Sequence, residues 1–155
     1  MSAHPNLVTA DADILDICRS LRRIAVLGIK PESHADQPAH YVARYMQAAG
    51  VEIVPVPVYY PEVTTILGER VLRRVADVPG HLDLVDVFRR GPDVAQHLDD
   101  LLAARPDVVW LQLGIRNDEV AAKLAEAGIR VVQDRCLMVD HRRALSSMTE
   151  HDSET

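Results

Sequence analysis

Five short apolar runs dominate the chain: RIAVLGI (23–29), VEIVPVPVYY (51–60), LDLVDVF (82–88), DVVWLQLG (107–114) and IRVVQDR (129–135). Runs that are apolar without alternation are strands covered on both faces. Helical patterns lie between them, and a parallel pair of strands needs such a crossover. The fold class read from the sequence is therefore α/β, a doubly wound parallel sheet of five strands with helices on both faces. In open sheets of this kind a ligand crevice lies beyond the carboxyl ends of the strands, where strand order reverses.

The helices read as Thr9–Leu21, Pro38–Ala49, Pro92 to about Ala104, a segment capped by Asn117 and closed by Gly128, and Cys136 to about Leu145. Pro55 and Pro57 cannot donate to a ladder, so the second strand either ends near Val54 or lies at an edge. The stretch from Thr64 to His81 reads as turns, with one helical turn near Arg73–Asp77. The 155 residues fit one domain, expected over 9–147, with polar ends at 1–8 and 148–155 expected to be disordered.

Composition removes several function classes. The 17 Lys plus Arg against 23 Asp plus Glu leave a net charge of −6, which opposes general nucleic-acid binding. No apolar run approaches the roughly 18 residues of a membrane span. The start of the chain has neither a basic segment nor an apolar block, so no secretory signal is expected. Cys18 and Cys136 form no disulfide framework, and a reducing cytoplasm is the expected location. There is no CxxC, HExxH or G-x-S-x-G, so neither a metal site nor a serine elbow is expected.

The chemistry is concentrated at the expected crevice. After the first strand, Gly28 and Lys30 lead to a helix N-terminus. They read either as a phosphate loop or as a tight turn with a solvated lysine. The loop lacks G-x-G-x-x-G, and no acid ends the second strand, which argues against NAD. Val54 to Pro57 would make a rigid wall for an adenine or a structural bend. Phe88-Arg89-Arg90 pairs a ring with two guanidiniums, and is either a stacking and phosphate site or a solvated helix start. Gln112 is a polar residue where the strand should be apolar, so it faces the crevice or bonds a neighbouring loop. Gly114 permits close backbone approach, and Trp110 reads as core. Cys136 sits at a helix start, where a thiolate is favoured, with Asp134 opposing. His141 lies about 140° around the helix from it, so the two form no dyad.

These segments, in this order, resemble the small CoA-binding domain proteins of Rossmann-type fold. The resemblance runs from about Arg23 to Leu145. It is carried by RIAVLGIKPE, HYVARYMQAAG, VEIVPV, ILGERV, LVDVFRR, VWLQLGIRN and QDRCLMVDHRR. The family fold is also similar to the amino-terminal CoA domain of succinyl-CoA synthetase alpha subunits. The resemblance implies a Rossmann-like fold with coenzyme A as the cofactor, lying across the strand ends. Gly28, Ile29, Lys30 and Pro31 would meet the phosphates, and Pro55 and Val56 would border the adenosine. Phe88, Arg89 and Arg90 would line the third strand end, Gln112 and Gly114 the fourth, with Cys136 beside them. The family's first loop commonly reads like GASPKPG and its second strand ends PVNP, whereas this chain has Lys30 and Pro55-Val56-Pro57.

The ligases that share this domain carry a further domain with a phosphorylated histidine. Binding of CoA or an acyl-CoA without ligation is therefore expected, as in a carrier or sensor. Two other readings stay open. One is a nucleotide-dependent oxidoreductase or CoA-transfer enzyme. The other is a homo-oligomeric or partner-binding subunit without ligand, suggested by Tyr59 and Tyr60.

Overall fold

The strands form where the apolar runs predict them, because their side chains are buried on both sides of one sheet. The structure, a computed structural model, describes residues 4–154, with side chains for 4–148. Its elements run α1 (Asp11–Arg19), β1 (Arg23–Leu27), α2 (Pro38–Ala48), β2 (Glu52–Val56), β3 (Thr65–Ile66) and β4 (Glu69–Arg70). Then follow β5 (Leu84–Val87), α3 (Leu98–Ala104), β6 (Val108–Leu111), α4 (Asp118–Glu126), β7 (Arg130–Val132) and α5 (Leu137–Glu154). Five strands form a parallel sheet in the order β2-β1-β5-β6-β7. The chain moves from β1 outward to β2, then returns to place β5 on the other side of β1. Strand order therefore reverses between β1 and β5.

Alternating strand residues build two cores. Ile24, Val26, Leu84, Val108, Trp110 and Val132 pack against α1, α2 and α5. Ala25, Leu27, Val85, Val87, Val109 and Leu111 pack against α3 and α4. The fully buried Trp110 donates its indole N–H to the Arg135 carbonyl at 2.8 Å. Asn117 caps α4 as expected, its side chain accepting from the Val120 amide at 3.0 Å.

Pro55 is tolerated because β2 is the edge strand. Within a strand one residue's N–H and C=O point to the same side. Glu52 and Val56 face β1, with the Glu52 amide bonding the Arg22 carbonyl and the Gly28 amide bonding the Val56 carbonyl. Pro55 faces outward, where its carbonyl accepts from the Leu72 amide at 3.0 Å. The missing N–H removes nothing from the sheet ladder.

Three features depart from the sequence expectation. Residues 65–70 form an antiparallel hairpin, β3–β4, within the stretch read only as turns. Leu67 at φ 56° and Gly68 at φ 74° give the left-handed pair that such two-residue turns require. The start of the chain, expected to be loose over 1–8, is tied to the sheet. The Val131 amide donates to the Asn6 carbonyl and the Val8 amide to the Val131 carbonyl, at 2.7 and 2.8 Å. The last helix continues through Glu154, beyond the Leu145 end and into the 148–155 segment expected to be disordered. Residues 1–3 and 155 of those expected tails lie outside the described residues.

The N-cap of α1 is Ala10, with no side-chain capping bond, and the first-turn Asp11 makes ion pairs instead. Asp11 bonds Arg135 and Arg143, and both arginines bond the buried Asp140, clamping α1 to α5. The Arg143 and Arg135 hydrogen bonds pull the Asp11 carboxyl down to about 2.

Candidate functional site

The carboxyl ends of β1, β5 and β6 open into one cleft of about 610 Å³. Its first wall is set by Gly28, which follows β1 at φ 86°. A Cβ there would lie 2.2 Å from the Phe88 carbonyl oxygen, so only glycine lets the loops after β1 and β5 cross. Ile29 and Pro31 turn inward and are buried.

Lys30 lines the cleft, but its main chain is engaged. Its amide donates to the Ala39 carbonyl at 3.1 Å, and the His40 Nδ1–H donates to its carbonyl at 2.9 Å. Its ammonium donates to the Gln37 side-chain carbonyl. The first turn of α2, with Gln37, Pro38 and Ala39, faces the same cleft. The Ala39 amide has no partner among the described residues, and the positive end of the helix dipole lies with it.

The loop after β5 divides its two arginines. Arg90 is exposed and unpaired among the described residues. Arg89 is only 9% exposed, yet among the described residues it bonds no carboxylate. Its partners are His97 Nε2 at 3.1 Å, the Tyr59 hydroxyl at 3.2 Å and the Gln96 side-chain carbonyl at 3.4 Å. Its guanidinium also stands over the Tyr59 ring, 5.6 Å from the centroid. His97 accepts from Arg89, so its ring is neutral; burial, and then the Arg89 charge, push its pKa down. A guanidinium this buried normally has an anionic partner.

The far wall comes from β6 and the start of α5. Gln112 is 3% exposed, and its side-chain oxygen accepts from the Leu137 amide at 3.0 Å. It lines the cleft and bonds the first residue of α5 at once. The Gly114 amide donates to Asp134 at 2.7 Å. Cys136 is half-buried in this wall.

Of the residues singled out from the sequence, Lys30, Phe88, Arg89, Arg90, Gln112, Gly114 and Cys136 line this one cleft. Gly28, Ile29, Pro31, Pro55 and Val56 do not; Pro55 and Val56 are buried in β2. Sequence reasoning missed Gln37, Tyr41 and Ile115 in the lining, and Tyr59 and His97 as the supports of Arg89. Only the fold brings Tyr59 within reach, 30 residues from Arg89 along the chain.

Two further groups stand apart from the cleft. Asp86, central in β5 beside Val26 and Trp110, is fully buried, and neither carboxyl oxygen has a partner among the described residues. Burial pushes its pKa well above the ordinary carboxylate range. At the opposite end of the sheet, His81, Asp83 and Asp107 hold the one set of clustered metal-ligand atoms among the described residues. His81 is already paired with Asp107 at 2.9 Å there.

A doubly wound parallel sheet with a cationic cleft at its switch point defines a Rossmann-like α/β class of fold. Residues 22–142 match the family model of the CoA binding domain, and the chain belongs to that family. It is 34% identical over 130 residues to the Bacillus subtilis (strain 168) protein YneT, itself uncharacterized, covering 84% of this chain and 93% of that one. Cell-free ID.343 from Thermus thermophilus is 39% identical with a TM-score of 0.79, covering 88% of this chain and 99% of that structure. A dinucleotide-forming acetyl-coenzyme A synthetase from Ca. Korarchaeum cryptofilum shares the fold at 19% identity and a TM-score of 0.61. That match covers 76% of this chain and 27% of the synthetase. No helix among the described residues is long and apolar enough to cross a membrane.

Proposed function

We propose that the protein binds coenzyme A, free or acylated, in the cleft at the ends of β1, β5 and β6, and acts as a carrier or sensor in the cytoplasm. One observation carries this reading. The cleft presents Lys30, Arg89 and Arg90, and among the described residues no carboxylate or imidazole lines it. Coenzyme A has a diphosphate and a 3′-phosphate, which supply the anions that Arg89 lacks. The free Ala39 amide at the start of α2 suits a phosphate oxygen. Phe88 offers an apolar surface to the pantetheine arm. Gly28 shapes the wall by letting the loops after β1 and β5 cross, while Ile29, Pro31, Pro55 and Val56 lie outside the cleft lining. The cleft holds no nucleophile–base pair, which supports binding rather than turnover.

A thermal-shift panel of CoA, acetyl-CoA, NAD, NADP and ATP tests the reading. A ligand at 100 times its Kd adds roughly 2.7 kcal/mol of stability. The largest shift is expected with CoA or acetyl-CoA. A larger shift with NAD, or none with either CoA form, overturns it.

A further inference from the structure

Three neutral side chains hold Arg89, the most buried cation of the cleft. It donates from Nε to His97 Nε2 at 3.1 Å, from Nη1 to the Tyr59 hydroxyl at 3.2 Å and from Nη2 to the Gln96 side-chain oxygen at 3.4 Å. These contacts fix the plane of the guanidinium. Each terminal nitrogen carries a second N–H, and Arg89 lines the cleft.

Acids stand close to this cage but bond elsewhere. Asp93 accepts from the Gln96 side-chain amide at 3.4 Å, and Asp100 pairs with Arg74 at 2.7 Å. The place beside Nε, where a carboxylate would neutralise Arg89, belongs to His97. Its Nε2 accepts, so the ring proton sits on Nδ1 and the ring is uncharged. Burial first, then the Arg89 charge, lower the His97 pKa, and Asp100 and Asp93 oppose them. The ring is therefore neutral at pH 7 and above. A buried charge held by hydrogen bonds alone is costly when no counter-ion completes it. A carboxylate beside Nε would remove that cost, and would also compete with any anion arriving from the cleft.

We infer that His97 is a positioning residue that aims Arg89 at the cleft and spares its charge for a phosphate of the ligand. The inference rests on the CoA-binding reading above and deepens it. The preference of the cleft for an anion is set by a ring that does not line it. His97 supplies the acceptor that orients the guanidinium, and the ligand supplies the countercharge.

The test is calorimetric titration with CoA at pH 8, where the His97 ring is neutral, using the full-length protein and three variants. His97→Ala removes the acceptor and should weaken binding about fivefold. His97→Gln restores a neutral acceptor and should recover most of that loss. His97→Glu has the same length as the glutamine but adds a charge, and should bind about tenfold or more weaker than His97→Gln. Urea denaturation in parallel should find His97→Glu at least as stable as His97→Gln, because the carboxylate partners the buried guanidinium. A purely structural residue would not lose binding while keeping stability. If His97→Ala binds like the wild type, the positioning role is overturned. If His97→Gln and His97→Glu bind alike, the sparing of charge is overturned. Either result leaves the CoA-binding reading standing. Should His97→Glu fold poorly, Gln96→Glu decides: it offers the same charge to Nη2 from an exposed position, and an unchanged Kd overturns the inference. A wild-type protein that does not bind CoA removes both.

Discussion

The two ends of the sheet solve the problem of charge differently. At the amino ends of β5 and β6 the charged groups close on one another. His81 meets Asp107, Asp83 accepts from the Arg22 and Arg23 amides, and Arg23 pairs with Glu52. A cleft of about 650 Å³ opens there too, lined by both acids and by Arg105 and Arg130. In the cleft at the carboxyl ends of β1, β5 and β6, the Lys30 side chain meets only Gln37 among the described residues, and that of Arg89 only His97, Tyr59 and Gln96. The two clefts are similar in size, so volume does not distinguish them. The difference is that acids stand among the charged groups of the amino-end cleft and pair with some of them, whereas Lys30, Arg89 and Arg90 share their cleft with no lining acid among the described residues.

The largest predicted effect comes from breaking the crossing that builds the open end. Gly28→Ala puts a Cβ against the Phe88 carbonyl in a left-handed backbone, and a loss of about 3 kcal/mol or more is expected in urea denaturation. Removing the waiting cation comes next. Arg89→Ala should weaken CoA binding by about 2–3 kcal/mol, roughly 30- to 150-fold in Kd by calorimetry. The exposed Arg90→Ala should cost less.

Between the two ends lies Asp86, which neither end neutralises. An acid whose folded pKa is raised keeps its proton where the unfolded chain has released it. Stability should therefore fall as pH rises from about 4 toward the folded value. Asp86→Val should flatten that dependence and raise stability at pH 7 by about 1–3 kcal/mol, read from paired denaturation curves at several pH values. The smallest effect belongs to the His81–Asp107 pair at the amino end. Asp107→Asn breaks an exposed pair, so less than about 1 kcal/mol of stability should be lost. CoA affinity should not change.

The sequence made the sheet legible because buried parallel strands carry their own pattern, and Asn117 its own cap. Strand alternation put the crevice at the carboxyl ends, with Lys30, Phe88 and Gln112 but also Pro55 and Val56 on that rim; only the strand order shows that the reversal lies between β1 and β5. The β3–β4 hairpin was not legible, since its left-handed turn places Leu67 where glycine or asparagine is usual. Nor was the pairing of residues 6–8 with Val131, which is a contact between distant segments. Arg89 and Arg90 looked equivalent as neighbours. Their separation into a buried and a solvated guanidinium depends on Tyr59, which the fold alone brings across.

Amide chemical-shift mapping during a CoA titration tests the contrast between the two ends most directly. The account predicts shifts at residues 28–39, 88–92 and 112–115, saturating at one CoA per chain, with the region around Asp83, Asp107 and Gly128 unmoved. Shifts concentrated at that second region, or no saturable shifts at all, would contradict it.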